Sequence, residues 1–309
     1  MIVMEHVTVL MSTYNGEKYL REQLESIFNQ KNVHVRMIVR DDGSDDHTVD
    51  ILREYQQKYS DMKIILDGEK KYACMSFLSL ITEFSDDDYF ALADQDDIWD
   101  FDKLECAIAK LKNEDENQIL LYFSNLKIVD SEGEFYRLSH DTERNTCNKY
   151  SSLIDNQVTG CTAVYNRKLA EFVNGRKPKD FSMHDAYLFI VASFFGKVVY
   201  DSKAHISYRQ HGNNTIGANL QKPKTRDVLK RGIKRIFNRK LQPRKDNAKQ
   251  FYAVYSDLLN DIDKEKVREL ADYKKSLSSR IKLLLDKDFS SFSNKKTLFF
   301  KVLVLLGNA

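Results

Sequence analysis

From residue 7 onward, short apolar runs rich in β-formers alternate with longer segments whose apolar residues recur at helical spacing. Residues 7–13 form the first run, and Tyr14-Asn15-Gly16 follows as a turn. Leu20, Leu24, Ile27 and Phe28 then share one face of a helix over 17–30. A second run at 33–39 ends in Asp41-Asp42-Gly43-Ser44, after which Val49, Ile51, Leu52 and Tyr55 predict another helix with Asp45 or Asp46 near its cap. Residues 63–66 predict a strand, 73–84 a helix and 89–93 a strand, which runs into Asp94-Gln95-Asp96-Asp97. Such alternation predicts a mostly parallel sheet flanked by helices, with ligands at the carboxyl ends of its strands. Beyond 119 the pattern is mixed: strands at 120–129, 160–165 and 197–200, and an apolar helix at 185–195. From about Gln221 the pattern is helical, at 224–239, 245–260 and 264–285, before a last apolar segment. Neither GxGxxG nor GxxxxGK[ST] stands at the strand ends, which argues against a dinucleotide oxidoreductase or a P-loop enzyme.

Composition is that of a globular protein, 42% hydrophobic and 30% charged, so a sizeable core is expected. Charge sharpens the division near Gln221. Residues 1–220 carry 25 Lys and Arg against 36 Asp and Glu, whereas 221–309 carry 23 against 10. We therefore expect an acidic domain at 1–220 and a basic helical region at 221–309. Cys74, Cys106, Cys147 and Cys161 form no CxxC pair and are expected to be free thiols of a reducing cytoplasm. No charged segment followed by an apolar stretch opens the chain, so no signal peptide is expected. The longest apolar run, 297–306, is interrupted by Lys301 and is half the length of a bilayer span of roughly 20 residues.

The acidic strand ends are the candidate chemistry. Asp94, Asp96 and Asp97 repel one another unless a cation sits between them, and a hard divalent ion with oxygen ligands, Mg²⁺ or Mn²⁺, answers that need while recruiting a substrate phosphate. The bland alternative is a solvated acidic turn capping the helix that starts near Phe101. Asp86-Asp87-Asp88 is denser still but precedes its strand, so it is expected to be a solvated loop. A carboxylate of Asp41-Asp42-Gly43-Ser44 is placed to accept a hydrogen bond from a base N–H or a ribose hydroxyl, and the hydroxyls of Ser12-Thr13-Tyr14-Asn15 with the Tyr14 ring to hold a nucleobase; the first stretch is also an ordinary turn and helix cap, the second an ordinary strand-to-helix connection.

Taken in order, STYNGEKYL, RDDGSDDHT and ADQDDIW resemble the strand ends of inverting family 2 glycosyltransferases with the GT-A fold. The resemblance continues through NQVTGCTAVYNRKL, Met183-His184-Asp185 and YRQHGNNTIG, covering about residues 5–217. ADQDDIW, MHDAY and RQHGNN are most similar to the bacterial rhamnosyltransferase branch. The resemblance implies nucleoside-binding roles for Ser12, Tyr14 and Asp42. It implies that Asp94 and Asp96 hold the metal and through it the diphosphate, with His211 helping the metal or the leaving group. It further implies that Asp185 is the catalytic base and that Gly160, Cys161 and Thr162 lie near the acceptor sugar. Tyr187 departs from the pattern, which has a Trp soon after the base. The implied activity is transfer of a sugar, L-rhamnose from dTDP-rhamnose, with inversion onto a surface polysaccharide or lipid-linked glycan. The alternatives are a UDP-hexose donor, or a non-catalytic sugar-nucleotide or polysaccharide-binding module.

In the basic region, Leu229, Ile233, Ile236 and Phe237 fall on one helical face over 224–240, with Arg226, Lys230, Arg231, Lys234, Arg235 and Arg239 around the rest. A basic amphipathic helix suits the anionic inner face of the cytoplasmic membrane; packing on the catalytic domain is the other reading. No nucleic-acid recognition motif accompanies the charge, so no nucleic-acid partner is expected.

Overall fold

A computed structural model describes residues 4–140, 148–212 and 243–309. The chain divides into two compact units. One comprises Met1–Glu143, Val158–Lys177 and Gly196–Gln221; the other comprises Arg144–Gln157, Pro178–Phe195 and Lys222–Ala309. Two segments that precede residue 220, 144–157 and 178–195, thus pack with C-terminal helices.

The first unit is built on a sheet. Its strands are β1 (Glu5–Thr13), β2 (Val33–Asp41), β3 (Met62–Ile65), β4 (Tyr89–Ala93), β5 (Ile98–Trp99), β6 (Ile119–Val129), β7 (Phe135–Leu138), β8 (Val164–Asn166) and β9 (Gly196–Arg209). They run in the order β3-β2-β1-β4-β8-β6-β9-β5, with β7 paired to β6. Parallel ladders β1–β2, β1–β4, β2–β3 and β6–β9 carry most of the pairing, while β8, β7 and β5 join antiparallel. Residues 7–11 of β1 and all of β4 are buried, which explains their near-continuous apolar sequence: a central strand covered on both faces has no polar side to show. Gly196 is required where β9 enters the sheet, because a Cβ there would lie 2.1 Å from the Ile119 carbonyl oxygen.

Helices α1 (Leu20–Phe28), α2 (Thr48–Lys58), α3 (Tyr72–Glu83), α4 (Lys103–Leu111) and α5 (Arg167–Val173) connect these strands. Helix α1 buries Leu20, Leu24 and Ile27, the stripe that its spacing predicts. Two expectations are corrected here. Residues 160–162 form a 3-10 turn rather than strand; Thr162 Oγ1 donates to the Thr159 carbonyl at 2.7 Å and competes with ladder pairing. The Asp86–Asp88 run is no free solvated loop. Asp86 pairs with Arg36 at 2.9 Å, Asp88 pairs with Arg167 at 2.9 Å, and Asp87 accepts from Thr8 Oγ1.

The second unit contains α6 (His184–Phe195), α7 (Pro243–Tyr255), α8 (Asp261–Asp272), α9 (Leu277–Leu285) and α10 (Asn294–Leu306). Its core is aromatic: Tyr187, Phe251, Tyr255, Phe289 and Phe300 are all at most 1% exposed. The single helix expected over 264–285 is broken after Asp272, because Ser276 caps a new one by accepting from the Ser279 N–H at 3.0 Å. No described helix is long and apolar enough to cross a membrane. The predicted basic helix over 224–240 lies outside the described residues.

Candidate active site

In the first unit the site begins where β1 and β2 end, because parallel pairing in register brings Thr13 opposite Asp41. Their loops are tied by short polar bonds. Asp42 N donates to the Thr13 carbonyl at 2.8 Å, Asn15 N to Ser44 Oγ at 2.9 Å, and Gly16 N to Thr48 Oγ1 at 2.8 Å. Asp45 N returns a bond to Asn15 Oδ1 at 2.9 Å. That network holds Asn15 at a φ of 48°, in the left-handed region. Tyr14 is left 43% exposed, with the Lys70 ammonium 4.0 Å from its ring centroid.

Asp42 is buried and already engaged. Its carboxylate accepts from Arg40 Nη1 at 2.6 Å, from Lys71 N at 2.7 Å and from Tyr72 N at 2.7 Å. A carboxylate has about four lone-pair sites, so these donors leave room for one more. Tyr72 is held at a φ of 59° by that bond. Arg40, itself 1% exposed, also reaches Asp67 at 2.8 Å and Ser76 Oγ at 3.0 Å, and Ser12 Oγ donates to the same Ser76 at 2.7 Å. Ser12 and Asp42 thus belong to one network centred on a buried guanidinium.

The Asp94–Asp97 turn leaves β4 beside these loops. Gln95, between the two aspartates, clamps Tyr14: its Oε1 accepts from Tyr14 N at 2.8 Å and its Nε2 donates to the Tyr14 carbonyl at 3.0 Å. Gly16 makes room, since a Cβ there would lie 2.5 Å from Gln95 Oε1. Asp96 Oδ2 lies 2.7 Å from His211 Nε2, and both side chains are 14% exposed. The Arg209 guanidinium supports the turn from behind. Its Nε donates to the Asp96 carbonyl at 3.0 Å, its backbone N to Asp97 Oδ1 at 3.1 Å, and its Nη2 pairs with Glu22. Tyr19 lies against the Arg209 guanidinium at 4.7 Å and the His211 ring at 4.9 Å.

Beneath the turn, Asp97 is fully buried. Burial, then the charges of Asp96 and Asp94, push its carboxyl well above the usual range. Burial lowers Lys103, whose ammonium lies 3.4 Å from the Trp99 ring centroid, to about 7. Ligand atoms of Asp94, Asp97 and Cys161 lie within 4.8 Å of one another, so Asp94 gathers with those two while Asp96 gathers with His211. Gly160, Cys161 and Thr162 are all buried, with Cys161 against the acidic turn. No described cysteine is in a disulfide.

These groups fit a hard divalent cation. A carboxylate and an imidazole nitrogen already meet at 2.7 Å, and the like charges of Asp96 and Asp94, which add to burial in raising Asp97, are what a cation relieves. Asp96 and His211 would hold such an ion, with Asp94 two residues away in the same turn, and the ion would supply charge neutralisation for a bound phosphate group.

The second unit carries Asp185 in the first turn of α6, where the helix dipole favours an anion. Its Oδ1 accepts from Asn156 Nδ2 at 2.9 Å and from Ala186 N at 2.6 Å. A cavity of about 380 Å³ in this unit is lined by Asn156, Ser182, Met183, Arg244 and Asn247. Tyr187, the departure from the family pattern, is buried with its hydroxyl 2.7 Å from that of Tyr255.

Sequence reasoning missed Gln95, Gly16, Arg209, Tyr19 and Asn156. All five stand inside the quoted motifs, Gly16 and Tyr19 in STYNGEKYL, Gln95 in ADQDDIW, Asn156 in NQVTGCTAVYNRKL and Arg209 in YRQHGNNTIG, so motif membership is the available signal.

His184 gives a pH prediction. Burial lowers it from 6.5 to about 3, so the folded chain keeps it neutral while the unfolded chain protonates below 6.5. Between those values the unfolded state binds the extra proton, and stability falls as pH falls, by about 1.4 kcal/mol per pH unit. His184→Met is expected to flatten this slope, read from urea midpoints between pH 7 and pH 4; an unchanged slope would remove His184 as its source.

Parallel strands ending in polar loops, with an acidic turn beside a histidine, are the arrangement of a GT-A glycosyltransferase. Residues 8–172 match the profile of glycosyl transferase family 2, and the chain belongs to that family. It is 34% identical over 221 residues to the dTDP-rhamnosyl transferase RfbG of Shigella flexneri, covering 68% of this chain and 74% of that protein. It is 27% identical to the UDP-Glc:alpha-D-GlcNAc-diphosphoundecaprenol beta-1,3-glucosyltransferase WfgD of Escherichia coli, covering 53% of this chain and 61% of that one. The fold is similar to S. aureus TarS 1-349, solved in complex with UDP-GlcNAc, with a TM-score of 0.54 at 15% identity over 97% of this chain and 90% of that chain.

Proposed function

We propose that this glycosyltransferase moves L-rhamnose from dTDP-rhamnose, with inversion, onto a surface polysaccharide or its lipid-linked precursor. The meeting of Asp96 with His211 at the carboxyl end of the sheet carries the catalytic part of the reading. The similarity to a dTDP-rhamnosyl transferase supports the donor. In this reading Ser12, Tyr14 and Asp42 bind the nucleoside, and Asp94, Asp96 and His211 serve Mg²⁺ or Mn²⁺. Asp185 takes the proton of the acceptor hydroxyl as its oxygen bonds to the anomeric carbon and the bond to the diphosphate breaks. Gly160, Cys161 and Thr162 shape the acceptor side. The catalytic domain spans 1–220, and 221–309 is the accessory basic region.

A UDP-hexose donor is the second reading, favoured by the similarity to WfgD. A hydrolysis screen of dTDP- and UDP-sugars with Mg²⁺ or Mn²⁺ separates the two: preferential turnover of dTDP-rhamnose is expected. Preference for a UDP-sugar overturns the rhamnose assignment, and no turnover of any donor points to a binding module.

The charge beyond residue 220 supports peripheral attachment to the inner face of the cytoplasmic membrane, where a lipid-linked acceptor is presented. Co-sedimentation with anionic liposomes is expected to weaken as salt rises and to be lost when Lys230, Arg231, Lys234 and Arg235 are changed to Glu. Protein that stays in the supernatant at low salt would refute it.

A further inference from the structure

A second cluster of metal-ligating side chains lies in the first unit, formed by residues that take no part in the transfer reading. Asp102 is the residue before α4 and Cys106 stands one turn along it, so the two share a helix face. His205 comes from β9, whose Ile206 and Ser207 pair with β5 just before α4, and Asp100 N donates to the His205 carbonyl at 3.0 Å. This pairing sets the imidazole against Asp102 and Cys106. One ligand atom from each of the three lies within 4.8 Å of the other two. All three line a cavity of about 810 Å³.

The imidazole is flanked by a carboxylate on each side. Its Nδ1 is 3.5 Å from Asp102 Oδ1, and its Nε2 is 3.7 Å from Asp201 Oδ2. The His205 side chain is 9% exposed, and its Nε2 has no hydrogen-bond partner. Asp201, 4% exposed, is held by Lys203 N at 3.0 Å and Tyr122 Oη at 3.4 Å, with Lys110 Nζ 3.9 Å away. Lys127, which also lines the cavity, is taken by both oxygens of Asp100 at 2.7 Å.

We propose that Asp102, Cys106 and His205 bind one transition-metal ion of the zinc class. Asp102 Oδ, Cys106 Sγ and His205 Nδ1 are its ligands, and Asp201 receives the His205 Nε2–H. A thiolate with an imidazole selects a borderline-soft ion over Mg²⁺. Metal-bound histidine regularly gives its other N–H to a carboxylate, and Asp201 Oδ2, 3.7 Å from His205 Nε2, is the carboxylate on that side of the ring. Bonds of about 2.0 to 2.3 Å require the three ligand atoms to close in by roughly 1 Å, within the range of side-chain rotation. Cys106 releases its thiol proton to solvent on binding, and a water completes a four-coordinate shell. The ion would staple the start of α4 to β9, the strand that ends in Arg209 and leads to His211.

The test is Co²⁺ titration of the metal-stripped full chain. One equivalent is expected to bind at micromolar concentration with a near-ultraviolet thiolate-to-cobalt band, displaced by Zn²⁺ and not by Mg²⁺. Cys106→Ser should abolish the band and His205→Gln weaken binding at least tenfold. Cys161→Ser and Asp96→Asn should both retain it, which separates this site from the acidic turn. Zn²⁺ should also shield Cys106 of the unaltered protein from alkylation, a reading that does not depend on whether a variant folds. Absence of the band in the unaltered protein, its survival in Cys106→Ser, or unshielded Cys106 would overturn the proposal.

Discussion

Asp96→Asn is expected to lower sugar transfer by at least about a hundredfold while leaving the fold intact. Retention of the fold follows from what holds the turn. Arg209 Nε donates to the Asp96 backbone carbonyl, which the substitution leaves in place, and Gln95 still clamps Tyr14. An amide is also able to stay in contact with His211 across the 2.7 Å now spanned by the carboxylate. What is lost is one full negative charge at a site whose remaining donors, Asp94 and the His211 imidazole, are a weaker match for Mg²⁺ or Mn²⁺. Chelation of the unaltered enzyme should produce a similar loss, restored by adding either ion; the variant should not recover at the same concentrations. Thermal unfolding of the variant checks the fold independently. Full activity after chelator treatment would sink the metal assignment.

How far the site was legible depended on whether its information was local. The strand at 89–93 is found to the residue, because acidic runs bracket a short fully apolar stretch and a central strand has no polar face to blur the pattern. The hairpin strand β7 went unread although Asp130 and Gly133 announce its turn: Asp130 Oδ1 accepts from Glu132 N and Glu134 N, and Gly133 has a φ of 89°. Two-residue β5 carries too little sequence to show a period. The acidic turn itself was visible as a run of carboxylates. Its support was not, since Arg209 joins it from more than 100 residues away and serves it through backbone atoms as well as its guanidinium. Gly16 shows the same limit. Nothing in Tyr14-Asn15-Gly16 says that the missing Cβ makes space for Gln95, about 80 residues downstream. The Asp86–Asp88 run was misread for a related reason: Arg36, Thr8 and Arg167 meet it only once β1, β2 and β8 are in register. Dense carboxylates in sequence therefore do not separate a structural ion-pair cluster from a ligand site. Partners do, because the first run is met by guanidinium and hydroxyl groups, whereas the Asp94–Asp97 turn is met by a histidine and a thiol and buries one of its own aspartates.

Asp185→Asn tests the other half of the chemistry, and its expected signature differs from that of Asp96→Asn. Transfer should fall by roughly a hundredfold or more with nucleotide affinity unchanged, because general-base catalysis contributes on that order and an amide has no site to take the acceptor proton. The substitution is a mild one structurally. Asn156 Nδ2 and Ala186 N both donate to Asp185 Oδ1, and the amide oxygen of asparagine is an acceptor for both. The loss of a charge in the first turn of α6 costs about 0.3–1 kcal/mol of helix stabilisation, too little to unfold the unit. Asn156→Ala makes the companion variant. It keeps the carboxylate and removes the group that orients it, so it is expected to reduce the rate by less than Asp185→Asn does, and a double variant should be little worse than Asp185→Asn alone. Steady-state transfer kinetics with titration calorimetry of the nucleotide separate the outcomes. If Asp185→Asn loses nucleotide affinity and keeps its rate, the aspartate belongs to binding or to the helix start, and another group must take the proton.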